Sequence, residues 1–124
     1  MPAARDDYIL RLIQQVANAL RRFRERLGKG DSAEEVSRDV GAAVGTLLGP
    51  QRMLLERLDG WSAANLLGDS ERVQLWSELL QLQSDLERAA GRDVSADTLA
   101  ARAAALARYG TPVRVERDAT SPHA

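Results

Sequence analysis

The sequence predicts an all-α protein, a single-domain bundle of about five helices that ends in an antiparallel helical hairpin. Three observations predict this class. Apolar residues recur at three- and four-residue spacing, turn and capping residues separate the periodic segments, and no segment alternates apolar and polar residues as a strand would. A length of 124 residues suits one domain. We expect residues 1–110 to form the helical domain and residues 111–124 to be a flexible C-terminal tail.

The first helix is predicted over residues 6–27, with acidic residues in its first turn and Gly28 and Gly30 at its end. Its apolar positions form one broad stripe, which could dock on the other helices or pair with a second copy. These positions are Tyr8, Ile9, Leu12, Ile13, Val16, Leu20, Phe23 and Leu27.

A second helix is predicted over residues 32–48, with Asp31 or Ser32 as its cap. Gly41 and Gly45 lie four residues apart in it and therefore face the same direction. Because glycine weakens a helix, we expect a close helix crossing at this face to compensate.

Two short helical segments follow between glycines. The first, over residues 50–58, is expected to turn three apolar residues inward, namely Met53, Leu54 and Leu58. In the second, over residues 61–67, Trp61 could either cover the core or project as an interface anchor. The usual burial of tryptophan favours the core.

The strongest helical pattern covers residues 70–90 and is apolar on two faces, which is typical of a central helix. Trp76 belongs to its main stripe. A last helix over residues 95–109, with Ser95 as its cap, carries small apolar residues. The connection between the two is short, so they should form an antiparallel hairpin. In the tail, Val113 and Val115 are candidates for a brief extended contact.

The sequence lacks the residues that most catalytic sites use. It has no cysteine, and its only histidine, His123, lies in the predicted tail. Disulfides, thiolate or histidine metal sites and Ser-His or Cys-His nucleophiles are therefore excluded. The glutamates fall off the apolar stripes, and the Gly-Lys-Gly at residues 28–30 lacks the preceding strand of a phosphate loop. We expect no enzymatic activity, no cofactor and no metal.

Composition points to a cytoplasmic protein. Charged residues interrupt the N-terminal apolar residues, so we expect no signal peptide, and no segment reaches the length of about 20 apolar residues that spans a membrane. Sixteen of the seventeen cationic residues are arginine, and alanine is abundant, which is typical of a GC-rich bacterial genome.

Charge is unevenly distributed, because residues 1–30 carry seven cations against three anions although the whole chain has a net charge of −1. A basic cluster lies near the end of the first helix and contains Arg21, Arg22, Phe23, Arg24 and Arg26. Clustered arginines beside an aromatic ring can hold phosphates. They can equally stabilise a helix C-terminus and pair with acids on neighbouring helices, and the near-zero net charge favours this second interpretation.

The start of the first helix resembles a known family. The run from Asp7 to Ile13 is similar to the opening Asp-Tyr-(Ile/Leu)-x-Arg-x-Ile segment of a group of small uncharacterised bacterial helical proteins. The resemblance implies a leucine-rich middle over residues 53–67 and a tetratricopeptide-like hairpin over residues 69–109. It implies a fold and no activity.

The sequence therefore favours a non-enzymatic helical module for protein–protein interaction or self-association. Its partner would be a protein or a second copy of the chain, and no membrane is expected. The alternative is a nucleic-acid accessory protein that uses the basic end of the first helix, which the charge balance disfavours. Besides the basic cluster, the candidate interaction residues are Tyr8, Arg11 and Trp61.

Overall fold

The computed structural model describes residues 7–113, which form six α-helices and one 3₁₀ turn. No strand occurs in this part of the chain, so the predicted all-α class is confirmed. The elements in chain order are α1 (Asp7–Gly28), α2 (Ala33–Leu48), the 3₁₀ turn (Gly49–Gln51), α3 (Arg52–Arg57), α4 (Gly60–Leu67), α5 (Ser70–Ala89) and α6 (Asp93–Ala107).

Helix α5 is the centre of the bundle, as its two apolar faces predicted. It packs against α1, α2, α4 and α6, and its side chains provide nine of the buried residues. Trp76 is 1% exposed in its middle. The apolar stripe of α2 meets it from one side, with Val36, Val40 and Val44 buried.

Helices α5 and α6 form the predicted antiparallel hairpin, and two buried serines fix its register. Ser77 Oγ donates to the Ala103 carbonyl and Ser84 Oγ to the Ala96 carbonyl, each at 2.7 Å. Both serines and both alanines are seven residues apart, so the same packing unit occurs twice along the seam. Small side chains at these positions let the two helix backbones approach closely.

The N-terminal cap predicted for the last helix was wrong. The helix begins at Asp93, two residues before Ser95. Ser95 instead forms a side-chain hydrogen bond with Glu87 at the end of α5. The turn between the helices closes at Gly91, whose φ of 83° lies in the left-handed region. The Arg92 amide donates to the Glu87 carbonyl across this turn at 2.9 Å, as in a Schellman motif.

Helix α3 presents a different face from the predicted one. Met53 and Leu54 are 71% and 49% exposed, whereas Leu55 is fully buried and Leu58 is partly buried against the core. The cause is the preceding 3₁₀ turn, which winds three residues per turn instead of 3.6 and so rotates the following helix. The inward positions expected for Met53 and Leu54 were therefore wrong.

A side chain, and not a closely crossing helix, packs on the glycines of α2. A Cβ on Gly45 would lie 2.8 Å from an Arg52 guanidinium nitrogen, whereas one on Gly41 would meet nothing closer than 3.9 Å. The same Arg52 nitrogen donates to the Gly41 carbonyl at 3.4 Å. The expected close helix crossing is thus replaced by an arginine from α3 lying across the glycine face.

Structure continues past the predicted domain boundary at residue 110. The Thr111 amide donates to the Ser70 carbonyl at 3.1 Å, and the Thr111 and Ser70 hydroxyls are 2.9 Å apart. Val113 packs against the core. Residues 111–113 therefore belong to the domain. The predictions for Asp6, Val115 and His123 lie outside the described residues.

Candidate interaction surfaces

Exposed apolar side chains concentrate where α3 and α4 meet. Four of the eight large exposed apolar residues in the described range lie between residues 53 and 66, which we call the α3–α4 corner. These four are Met53, Leu54, Trp61 and Leu66. An aromatic residue on a protein surface is a frequent anchor of protein interfaces. The corner is therefore a candidate binding surface.

Trp61 is 60% exposed, so the burial favoured from its residue type was wrong. The inward face of α4 consists of small residues and Leu67, with Ala63 and Ala64 buried. A Cβ on Gly60 would lie 3.2 Å from the Ala105 Cβ, which shows how closely α4 approaches α6. Because the small residues hold the inward face, the indole of Trp61 is left at the edge of the contact.

Trp61 and Tyr109 line one groove of about 240 Å³. Tyr109 follows the end of α6 and is 38% exposed. The side-chain amide of Asn65 donates to the Trp61 carbonyl at 2.8 Å beside the groove. The rest of the lining is mostly small, namely Ala64, Gly68, Ser70 and Val73. The groove, which we call the aromatic groove, thus presents two aromatic rings together with small side chains.

The α3–α4 corner is held to the bundle by charged side chains. Arg102 on α6 donates to the Leu55 carbonyl at 2.9 Å, and its guanidinium carbon lies 5.1 Å from the centre of the Trp76 ring. Burial lowers the pKa of Arg102. Asp59 accepts a hydrogen bond from the Ser62 amide at 2.8 Å and so caps α4. Hydrogen bonding from the Ser62 side chain, and then from this amide, lowers the Asp59 pKa. These contacts fix the orientation of α3 and α4.

Two of the four arginines of the basic cluster at the end of α1 form ion pairs with residues that the structure describes. Arg24 lies 3.4 Å from a Glu78 carboxylate oxygen on α5. Arg26 pairs with Asp39 on α2 at 2.7 Å and with Asp31 at 3.2 Å, and these hydrogen bonds raise its pKa. The pairing agrees with the interpretation that the arginines stabilise the helix end and bind neighbouring acids.

The remaining members of the basic cluster differ in exposure. Phe23 is 7% exposed and packs in the core, so its ring does not lie beside the arginines at the surface, as the phosphate-binding interpretation required. Arg21 donates to the Asn18 side chain at 3.0 Å, and Arg22 is exposed. Within residues 7–113, neither Arg21 nor Arg22 has a carboxylate partner.

The start of α1 carries the last two predicted interaction residues. Tyr8 is 62% exposed and Arg11 is exposed. They lie more than two helical turns before the basic cluster, so the structure does not bring them together with Arg21 or Arg22. Tyr109, Leu66, Met53 and Leu54 were not predicted as surface residues. The exposure of Leu66 could have been inferred from the sequence. Leu67 lies on the same helix face as the buried Ala63 and Ala64, which leaves the adjacent Leu66 directed outward.

Two further properties concern the described residues as a whole. No group of three or more acidic or histidine side chains within residues 7–113 is arranged to hold a metal ion. None of the helices in that range combines the length and the apolar character needed to cross a membrane. The aromatic groove offers the rings of Trp61 and Tyr109 together with polar groups of Asn65 and Ser70, and Arg21 and Arg22 offer guanidinium groups without a carboxylate partner in the described residues.

The fold places this chain in the class of all-α, single-domain helical bundles. No protein-family model, no curated protein and no solved structure matches it.

Proposed function

We propose that the protein is a non-enzymatic helical module that binds a protein partner, or a second copy of itself, through the aromatic groove. The exposure of Trp61 carries this proposal, because 60% of a large apolar side chain faces solvent on a helix that is otherwise well anchored. Covering that surface would remove about 90–150 Å² from water and contribute roughly 2–4 kcal/mol.

The contacts that anchor the site to the bundle support the proposal. The capping contact of Asp59 and the hydrogen bond from Arg102 hold α3 and α4 in place before any partner arrives. A preordered surface loses less conformational entropy on binding. In this proposal the α5–α6 hairpin, which the sequence resemblance describes as tetratricopeptide-like, is the scaffold, and the protein acts in a bacterial cytoplasm.

The nucleic-acid alternative has weaker support. It relied on four arginines and an aromatic ring at the end of α1. Arg24 and Arg26 form ion pairs, and Phe23 is buried, so Arg21 and Arg22 are the members left to contact phosphates. Two exposed cations give a shallow salt dependence of about two released counterions.

Tryptophan fluorescence tests the proposal directly, because Trp61 is exposed and Trp76 is 1% exposed. Acrylamide should quench mainly Trp61 in dilute protein. Raising the protein concentration, or adding a candidate protein partner, should lower this quenching and shift the emission to the blue as the indole is covered. The W61F variant should lack the change.

Affinity measurements by sedimentation velocity complete the test. Trp61→Ala should weaken the association at least about tenfold, as expected for an interface anchor. Val94→Ala is the matched control, since Val94 is 82% exposed and lies at the start of α6 outside the groove. Equal affinity for the two variants, or undiminished Trp61 quenching in a complex, would contradict the proposal.

A further inference from the structure

A second cleft, distinct from the aromatic groove, lies between the first turns of α2 and the end of α5. Its volume is about 440 Å³, within the range of about 300–1,000 Å³ that is usual for small-molecule sites. Ala33, Leu86 and Ala90 form its apolar part. Its polar part comes from opposite sides, with residues of α2 on one wall and Arg92 on the other.

The Arg92 guanidinium is held in a fixed orientation. Its Nε and Nη2 atoms donate to the two carboxylate oxygens of Glu87 at 2.9 and 2.8 Å. Hydrogen bonds from Arg92 and Ser95 lower the pKa of Glu87 to about 2, so this carboxylate stays ionised. A guanidinium has five N–H donors, and the pair with Glu87 uses two of them. Three donors remain for another acceptor.

The α2 wall presents Arg38, whose guanidinium forms no ion pair or hydrogen bond with any residue of the described range. The hydroxyl of Ser37 lies on the same wall. Glu34 also lines the cleft and interacts electrostatically with Arg92. Arg38 favours an anion, Glu87 already balances the charge of Arg92 but leaves its other donors free, and the carboxylate of Glu34 opposes a second negative charge on the ligand.

We propose that this cleft binds a small organic molecule with one carboxylate and an apolar body. The carboxylate would accept hydrogen bonds from Arg38 and from the free donors of Arg92, as guanidinium groups commonly bind carboxylates. The apolar body would lie on Leu86 and the two alanines. This site does not depend on the aromatic groove.

An NMR titration of the whole chain with hexanoate tests the proposal, and hexanamide of the same length provides the uncharged comparison. Hexanoate should shift the amide resonances of Ser37, Arg38 and Arg92 in a saturable manner, and hexanamide should not. Arg38→Gln should weaken hexanoate binding about tenfold, as expected for the loss of one charge-assisted hydrogen bond of roughly 1.5 kcal/mol. Glu34→Gln should strengthen it.

Arg57→Gln is the matched control, because Arg57 is exposed, lies on α3 outside the cleft and has no ion pair within the described residues. It should leave hexanoate binding unchanged. Three results would overturn the proposal. They are the absence of a saturable shift, equal binding of hexanamide, and equal hexanoate affinity of the Arg38→Gln and Arg57→Gln variants.

Discussion

Replacing Ser77 and Ser84 together by alanine removes two buried hydrogen bonds of the seam between α5 and α6. Each hydroxyl is buried and donates to an α6 carbonyl at 2.7 Å. A buried hydrogen bond of this kind contributes about 1 kcal/mol net. The two sites are seven residues apart, roughly 10 Å along the helix, so their effects should add. The hydrogen bonds of the pair should therefore contribute about 2 kcal/mol.

Alanine also has a higher helix propensity than serine, which raises the free energy of unfolding by up to about 0.5 kcal/mol at each site and offsets part of the loss. The variant Ser37→Ala measures this return, because Ser37 lies inside α2 and donates no hydrogen bond within the described residues. Once twice the change in unfolding free energy of Ser37→Ala has been subtracted, the double variant should have an unfolding free energy about 2 kcal/mol lower than that of the wild type in urea denaturation. Its Tm should fall correspondingly, by about 4 °C per kcal/mol.

The urea experiment also gives a clear contrary result. If the double variant matches the corrected control within about 0.5 kcal/mol and its m-value is unchanged, the serine hydroxyls contribute nothing to the hairpin. The register would then depend on the small size of the side chains alone. A change in the m-value would instead indicate that the variant has altered the compactness of one of the two states.

Three other substitutions give separate predictions. Gly110→Ala should lower the free energy of unfolding by about 1–3 kcal/mol, because its Cβ would lie 2.7–2.9 Å from atoms of Gln74. Thermal denaturation measures this loss. In the same experiment Gly28→Ala, whose added Cβ would meet nothing within 4 Å, should be neutral or stabilising. Equal losses of stability in the Gly110 and Gly28 variants would contradict the packing argument. Glu87→Gln should flatten the acid dependence of Tm. The Glu87 pKa is lowered from 4.5 to about 2, so its contribution is complete above 4.5 and disappears as the pH falls through 2. Parallel Tm curves for wild type and variant would refute this.

The long helices could be predicted because their burial repeats with the helical period. In α2, the valines at positions 36, 40 and 44 are all buried, and the stripe of α5 surrounds Trp76 as expected. The cap of α2 by Ser32 was one of two predicted choices, and Ser32 Oγ accepts the Glu35 amide at 3.3 Å. Over such lengths the apolar spacing determines which face turns inward, with little influence from neighbouring elements.

The short segments could not be predicted in the same way. Helix α3 has six residues, less than two turns, so its inward face depends on the 3₁₀ turn before it and not on its own pattern. Tryptophan is usually buried, but Trp61 lies at the edge of the contact between α4 and α6, because Gly60 and the alanines of α4 occupy its inward face. In the sequence, Ser77 and Ser84 are polar residues within an apolar pattern. Their role follows only from the α6 carbonyls that accept their hydrogen bonds.

The number of arginines in a sequence overstates how many are available to bind a polyanion such as a nucleic acid. Arg52 on α3, Arg72 on α5 and Arg102 on α6 each donate to a main-chain carbonyl, those of Gly41, Leu47 and Leu55 respectively. Burial lowers the pKa of Arg72 and Arg102, which remain cations because their ordinary pKa is so high. Two of these carbonyls, those of Leu47 and Leu55, lie in the last turns of their helices, where a cation is favourable. Much of the arginine in this chain thus connects helices to one another. In the cleft beside α2, Arg38 has no such contact within the described residues and Arg92 keeps donors beyond its pair with Glu87, whereas Arg24 and Arg26 at the end of α1 are held in ion pairs.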